Sequence, residues 1–351
     1  MTTGVIGLDI GSSAVRAVQV APGRGPATLE RLGQVLLPVG AVRDGEIVEP
    51  AAVADALKAL WSRYGFKTRK VLLGMANQQV VVRQLDLPYL PDAEMRQSLP
   101  YQVQDAIPIQ VEQAILDFHT LEVYETEEGQ RFSRILLVAA HRQTVQSVID
   151  VVRKAKLEPV GVDLNAFAVL RSLAPGNETD PYEGELLIDV GASVTNVVVH
   201  EAGVPRFVRI LLMGGAAITD DLMSSLNLPY EEAEQVKATT GVSDGYSVGA
   251  ERGSRVITER ANRFVDEIRG SLDYYRAQAD AIPVGRIVLS GGASQLPNLR
   301  ERIADTMRLP VDRGHPMQSL KIGKLGLTSD QLVEAEPYLA VAVGLALGAV
   351  A

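Results

Sequence analysis

The chain has 351 residues, of which 46% are hydrophobic and 22% charged, with a net charge of −9. That length holds about two domains of ~100–200 residues each, and an acidic surface repels phosphate backbones, which excludes nucleic acid as a general partner. Having no cysteine, the chain builds neither a disulfide scaffold nor a cysteine-ligated metal or redox site, and 5% aromatics leave its cores to aliphatic residues.

The start, Met1 to Asp9, has no basic region and no long apolar run, so it does not read as a signal peptide. Residues 4–10 and 15–20 read as two strands joined by Gly11-Ser12-Ser13. Val53, Leu57, Leu60, Trp61 and Tyr64 recur at helical spacing over 51–64, and 70–75 and 79–85 read as strands. Residues 92–106 are a predicted helix capped by Asp92, expected to kink or break at Pro100, which lacks an N–H and clashes with the preceding turn. Strands 114–124 and 131–140 form a predicted hairpin closed by Glu127-Glu128-Gly129; helix 142–156 turns Val145, Val148, Ile149 and Val152 inward. This run is expected to be an α+β unit, 76–154, inserted into a first lobe made of 1–75 and 155–180. After a strand at 158–162, the polar, turn-rich segment 174–184 reads as the boundary to a second lobe, 181–335. Its strands begin at Glu185. Helices are expected at 217–226, 230–239 and 254–279, grouped in a small helical subdomain at 217–280, before strand 286–290 and helix 297–307. The run from Tyr338 to Ala351 is apolar but shorter than the ~20 residues that span a bilayer. It reads as a buried helix rich in Ala and Gly, with 336–351 packing back on the first lobe.

The informative feature is repetition. Leu8-Asp9-Ile10-Gly11-Ser12-Ser13 recurs as Ile188-Asp189-Val190-Gly191-Ala192-Ser193, and each copy is followed by a returning strand. Glycine gives the backbone freedom for a close ligand, and successive amides and hydroxyls in such a turn cradle phosphate oxygens. The aspartates at the strand ends would repel phosphate unless a cation lay between, and Mg²⁺ is held by one or two carboxylates plus phosphates. One copy alone reads as a hairpin whose Asp caps a turn. Two copies, one at the head of each half, point to nucleotide binding. A second repetition pairs Arg209-Ile210-Leu211-Leu212-Met213-Gly214-Gly215-Ala216-Ala217 with Arg286-Ile287-Val288-Leu289-Ser290-Gly291-Gly292-Ala293-Ser294. Each reads as a buried strand ending in Gly-Gly before a helix whose N-terminus favours anions; a tight strand-to-helix turn explains the pattern equally well. P-loop, G-x-G-x-x-G and H-E-x-x-H motifs are absent, and four scattered histidines make no zinc cluster.

These segments resemble the actin, Hsp70, FtsA and sugar-kinase superfamily over essentially the whole chain. The resemblance implies an α/β, actin-like (ribonuclease H-like) duplicated two-lobed fold with an inserted α+β subdomain, binding ATP and Mg²⁺. It implies Asp9 and Asp189 at the metal, Gly11, Ser12, Ser13, Gly191, Ala192 and Ser193 at the phosphates, and Arg16 at the β-phosphate. It places Gly214, Gly215, Gly291, Gly292 and Ala293 near the nucleotide, with Glu234 and Lys237 flanking the adenosine. On residue spacing alone, Glu234 and Lys237 are equally a solvated i,i+3 ion pair. Within the superfamily, Leu85-Asp86-Leu87-Pro88, Ala106-Ile107-Pro108, Leu116-Asp117-Phe118-His119 and Val162-Asp163-Leu164-Asn165-Ala166-Phe167-Ala168 are similar to the pilus-assembly PilM family, with Pro100 a departure. That resemblance implies a cytoplasmic protein at the inner face of the inner membrane, reaching the membrane only indirectly. Its implied partner is the short N-terminal tail of a PilN-like protein, held in a groove faced by residues 79–124. Pilus motor ATPases would read the angle between the lobes, and a homo-oligomer and a type II secretion role stay open. The alternatives are an FtsA-like division protein and a small-molecule kinase. Asp163 is the candidate base for a kinase, although it also reads as a helix N-cap. No attacking water is positioned by any motif, so ATP hydrolysis is expected to be slow at most.

Overall fold

In the computed structural model, which describes residues 4–174, 183–243 and 252–350, strands β1 (Ile6–Ile10), β2 (Ala14–Ala21) and β3 (Thr28–Leu36) form an antiparallel meander. A short ribbon, β4 (Val42–Arg43) and β5 (Glu46–Ile47), leads to helix α1 (Pro50–Tyr64). Proline opens α1, where its missing N–H costs nothing, and Gly65 closes it in the left-handed conformation at φ 64°. Strand β6 (Lys70–Met75) then lies parallel to β1.

Strand β7 (Val80–Pro88), helix α2 (Asp92–Gln102), and strands β8 (Ala114–Glu125) and β9 (Arg131–His141) follow. They form an antiparallel sheet in the order β7-β9-β8 with α2 on one face. Helix α2 runs through Pro100 and stops at Gln102, so neither the break at Pro100 nor the extension to residue 106 occurs. Proline inside a helix costs about 3 kcal/mol. Met95, Leu99 and Val103 are all buried against Ile135 and Leu137 of β9, and each such side chain contributes about 1.5–3 kcal/mol. Packing wins. Asp92 is the first helical residue rather than the cap, which is Pro91.

Helix α3 (Arg142–Lys154) also departs from expectation. Its Val148, Val151 and Val152 pack with Val53, Leu57 and Leu60 of α1 and with Leu73 of β6, in the core of the first lobe. The inserted unit's own core therefore stops at β9. Strand β10 (Glu158–Leu164) adds to β6 in parallel, and helix α4 (Asn165–Leu173) leaves toward the second lobe. Of the expected boundary at 174–184, residues 175–182 lie outside the described residues.

Strands β11 (Gly184–Val190), β12 (Thr195–Glu201) and β13 (Val204–Leu211) repeat the meander. Helices α5 (Gly215–Leu226), α6 (Tyr230–Thr240) and α7 (Arg252–Arg276) come next, then strand β14 (Val284–Ser290), helix α8 (Leu299–Met307) and strand β15 (Val311–Arg313). Strand β16 (Lys321–Ile322) crosses back to pair with β3, and helices α9 (Ser329–Ala335) and α10 (Ala340–Gly348) end the fold. The two sheets share one order, β3-β2-β1-β6-β10 and β13-β12-β11-β14-β15, so β11 is the counterpart of β1.

Helices α4 and α10 form a layer between the sheets. Val169 and Leu170 meet Leu187, Val198 and Val288 of the second lobe, while Ala342 and Val343 meet Val18 and Val20 of the first. The insert reaches the second lobe through Arg134, 2.9 Å from Asp86 in its own sheet and 3.6 Å from Asp280 just beyond α7. Among the described residues no helix is long and apolar enough to cross a membrane.

Candidate functional site

Both lobes build the same corner. Strands β1 and β11 carry an aspartate one residue before their ends and turn at a glycine whose N–H donates to a carbonyl three residues on: Gly11 to Ala14 and Gly191 to Val194, each at 3.0 Å. The residue opposite Asp9 on the returning strand is Arg16, and opposite Asp189 it is Asn196. The two turns face each other and touch, with the Ser12 and Ser193 hydroxyls hydrogen-bonded across the interface. Around them lies a cleft of about 400 Å³. Asp9, Gly11, Ser12, Ser13 and Arg16 line it from the first lobe. Asp189, Gly191, Ala192, Gly214, Gly215, Glu234, Lys237, Gly291, Gly292 and Ala293 line it from the second, and Ser193 reaches it through Ser12.

The two carboxylates are buried and electrostatically uncomfortable. Burial raises the Asp9 pKa, opposed by Arg16, whose Nη1 donates to Asp9 over 3.4 Å. Burial and then the negative charge of Asp9 push Asp189 up to about 6, against the pull of Asn196, Arg16 and Ser290. The Oδ1 atoms of Asn196 and Asn165, both in the cleft wall, are buried with no hydrogen-bond partner. Two carboxylates, neighbouring amide oxygens and no cluster of three metal-ligating side chains among the described residues suit a hard cation. Such an ion would take the rest of its shell from phosphate and water, as Mg²⁺ does.

At the other end of the cleft, Lys237 Nζ donates to Thr219 Oγ1 at 2.8 Å and to the Gly215 carbonyl at 3.3 Å, and pairs with Glu234. The ion pair and the cleft wall are therefore the same feature. Arg260 of α7 completes this wall, held by Asp221 through bonds of 2.6 and 2.8 Å.

The Gly-Gly repetition resolves differently from expectation. Strand β13 is an antiparallel edge strand with a half-buried face, whereas β14 is parallel to β11, so the two are not topological copies. The first pair leads into α5, but the Gly215 and Ala216 amides donate to the Gly191 and Ala192 carbonyls at 3.1 and 2.8 Å. That helix start is thus sealed against the second turn, and these two amides are not free for an anion. A Cβ on Gly214 would lie 2.4 Å from the Gly191 carbonyl oxygen, so only glycine allows the approach. The second pair leads into a single 3₁₀ turn, Gly292–Gln295, entered at Gly291 with φ +90°.

Asp163 does not reach the cleft. It pairs with Arg171 of α4, and its Oδ1 accepts from the Leu164 N–H at 2.8 Å. It neither caps α4, which Leu164 precedes without a side-chain cap, nor lines the cavity, so the candidate kinase base is withdrawn. Asn165, two residues on, lines the cleft instead. Sequence reasoning also passed over Arg260 and Tyr338, which are brought in from α7 and from the segment before α10.

Residues 7–350 match the family model described as type IV pilus assembly protein PilM. A solved PilM-PilN type IV pilus biogenesis complex is 30% identical, covers 99% of each chain and superposes with a TM-score of 0.86. The cell division protein FtsA of Pseudomonas aeruginosa is 25% identical, over 97% of this chain and 88% of its own. MreB5 of Spiroplasma citri, solved bound to ADP, shares the fold at a TM-score of 0.56 with 15% identity, covering 98% of this chain and 95% of its own. The architecture is the two-lobed actin-like fold, and the chain belongs to the type IV pilus assembly protein PilM family.

Proposed function

We propose that this actin-like pilus-assembly protein is a nucleotide-dependent scaffold: Mg-ATP in the cleft sets the angle between the lobes, and the tail of a PilN-like inner-membrane protein reads it. One observation carries the reading. The turns that follow Asp9 and Asp189 meet across a single cleft through Ser12 and Ser193, 181 residues apart in the sequence. A triphosphate would replace that hydroxyl contact, with Gly11, Ser12 and Ser13 on one side and Gly191, Ala192 and Ser193 on the other. Asp9 and Asp189 would hold Mg²⁺, which supplies the positive charge that two buried carboxylates and phosphate oxygens need between them. Arg16 would meet the β-phosphate. Glu234, Lys237 and the Gly291–Ala293 turn would take the nucleoside.

The solved PilM-PilN complex supports the partner, and the insert offers it exposed apolar side chains: Tyr101 is 78% exposed, and Tyr89, Ile115 and Val123 are also exposed. Binding there places the chain at the cytoplasmic face of the inner membrane through its partner. A ligand shifts the lobe angle only by its differential affinity for the two states, and pilus motor ATPases would read that angle. A kinase reading loses its base now that Arg171 holds Asp163.

The test is titration of the purified chain with a synthetic PilN-like tail, with and without Mg-ATP, while following phosphate release. Peptide affinity is expected to depend on Mg-ATP, with slow phosphate release; rapid sugar phosphorylation and no peptide binding would overturn the proposal. Replacing Glu234 and Lys237 together by Ala is expected to weaken ATP about 10–100-fold, the worth of one or two charge-assisted hydrogen bonds, and inorganic tripolyphosphate far less. Equal losses in calorimetry would remove the nucleoside assignment.

A further inference from the structure

Arg16 is held less by its acidic neighbour than by two other groups. Its Nη1 lies 3.4 Å from Asp9, at the weak end of hydrogen bonding, whereas its Nε donates to Gln34 Oε1 at 2.7 Å. Its guanidinium carbon sits 5.5 Å from the centroid of the Tyr338 ring, within cation–π range. The same ring presses on the second lobe: a Cβ on Gly292 would come within 2.6 Å of Tyr338 Cε1. One residue earlier, the Pro337 carbonyl accepts the Gly291 N–H at 3.0 Å. Leu339 alone separates Tyr338 from α10, which packs on β1 and β2 of the first lobe. The ring therefore bears on a first-lobe cation and a second-lobe glycine turn while standing just ahead of the helix between the lobes.

We infer that Tyr338 is a positioning residue that sets both ends of the nucleotide site, aiming Arg16 at the phosphates and seating the Gly291-Gly292 turn under the nucleoside. This rests on the nucleotide reading above and adds a specific linkage to it. With the ring gone, Arg16 keeps only Gln34 and a long contact to Asp9, and its planar head is free to turn. The Gly291-Gly292 backbone loses the surface that fixes its height in the cleft. Gly292 has no side chain because the ring occupies that space, so a methyl there should push the ring off and act as ring removal does. The phenol hydroxyl takes no part in either contact, so phenylalanine suffices.

The test is calorimetric titration of the full chain with tripolyphosphate, which reports the Arg16 end, and with adenosine, which reports the glycine end. Tyr338→Leu is expected to weaken both about three- to tenfold, the range of one cation–π contact. Tyr338→Phe should stay within about twofold of wild type at both, by the same energetics, and Gly292→Ala should reproduce the leucine variant. Arg16→Gln should weaken tripolyphosphate alone, and adding Tyr338→Leu to it should cost little more tripolyphosphate affinity. Loss at only one end, no loss at either, or a phenylalanine variant as weak as leucine overturns the inference while the nucleotide reading stands. A wild-type chain that binds neither probe nor Mg-ATP overturns both.

Discussion

Asp189→Asn is expected to bind Mg-ATP about 10–100-fold more weakly than wild type, the usual cost of disturbing a metal's supporting oxygens, while its unliganded form melts at a higher temperature at pH 7.5. The two effects share a cause. Asp189 is 7% exposed and faces Asp9, and burial and that charge raise its pKa from 3.8 to about 6. An acid with a raised folded pKa favours the fold when protonated. Its stabilisation is complete below the unfolded value near 3.8 and is lost as pH rises through about 6. The loss is about 3 kcal/mol at pH 7.5, at about 1.4 kcal/mol per pH unit. Asparagine keeps the shape and carries no charge, so thermal melts of the variant should be flatter than wild type between pH 4 and 8. Wild-type affinity for Mg-ATP should itself fall below about pH 6, where a proton occupies the carboxylate. Unchanged affinity in the variant would sink the metal assignment; unchanged stability at pH 7.5 would sink the claim of a strained carboxylate. A residue that weakens the resting fold and strengthens ligand binding is the trade expected of a functional site.

How much of this was visible in the sequence depends on how far apart the cooperating residues lie. The Asp-Gly-Ser corners were legible because each is local: the strand, the acidic end, the turn and the return all fall within about a dozen residues, and the repeat announces itself. What no local pattern carries is which distant residue is delivered to a corner. Arg260 sits on the polar edge of a helix that reads simply as amphipathic, and only the packing of α7 on α5 brings it to Asp221. Tyr338 looked like the start of an apolar helix, and its place over Arg16 requires the chain to cross back between the lobes. Asp163 and Asn165 lie two residues apart, and the sequence favoured the acid; the register of β10 and the start of α4 give the cleft to the amide. Helix α3 failed in a related way. Its valine stripe said that one face is buried, but not against which sheet.

The same glycine-to-alanine change is expected to have opposite effects in two helices. Gly270 lies on the exposed side of α7, where an added Cβ meets nothing within 4 Å. Alanine there should stabilise by about 0.5–1 kcal/mol, by removing backbone freedom from the unfolded chain. Gly344 lies inside α10, where a Cβ would stand 1.7 Å from the Ala168 carbonyl oxygen and 2.3 Å from its carbon. Both atoms are backbone of α4, so no rotamer change relieves the clash, and the helices must separate by roughly 2 Å to restore van der Waals contact at ~3.5–4 Å. Separation also breaks the bond from Arg171 Nε to the Gly344 carbonyl, 3.0 Å long. This pair of helices is the layer on which both sheets rest, so moving it loosens Val169 and Leu170 from the second lobe and Ala342 and Val343 from the first together. Gly344→Ala should cost about 3 kcal/mol, the upper range for overpacking, and lower the melting temperature by about 5 °C or more. Equal melting of the two variants would mean that α10 is not clamped on α4, and that the lobes are not joined through it. A low-melting Gly344 variant beside a high-melting Gly270 variant would establish that the small-residue face of α10 serves close backbone approach to α4.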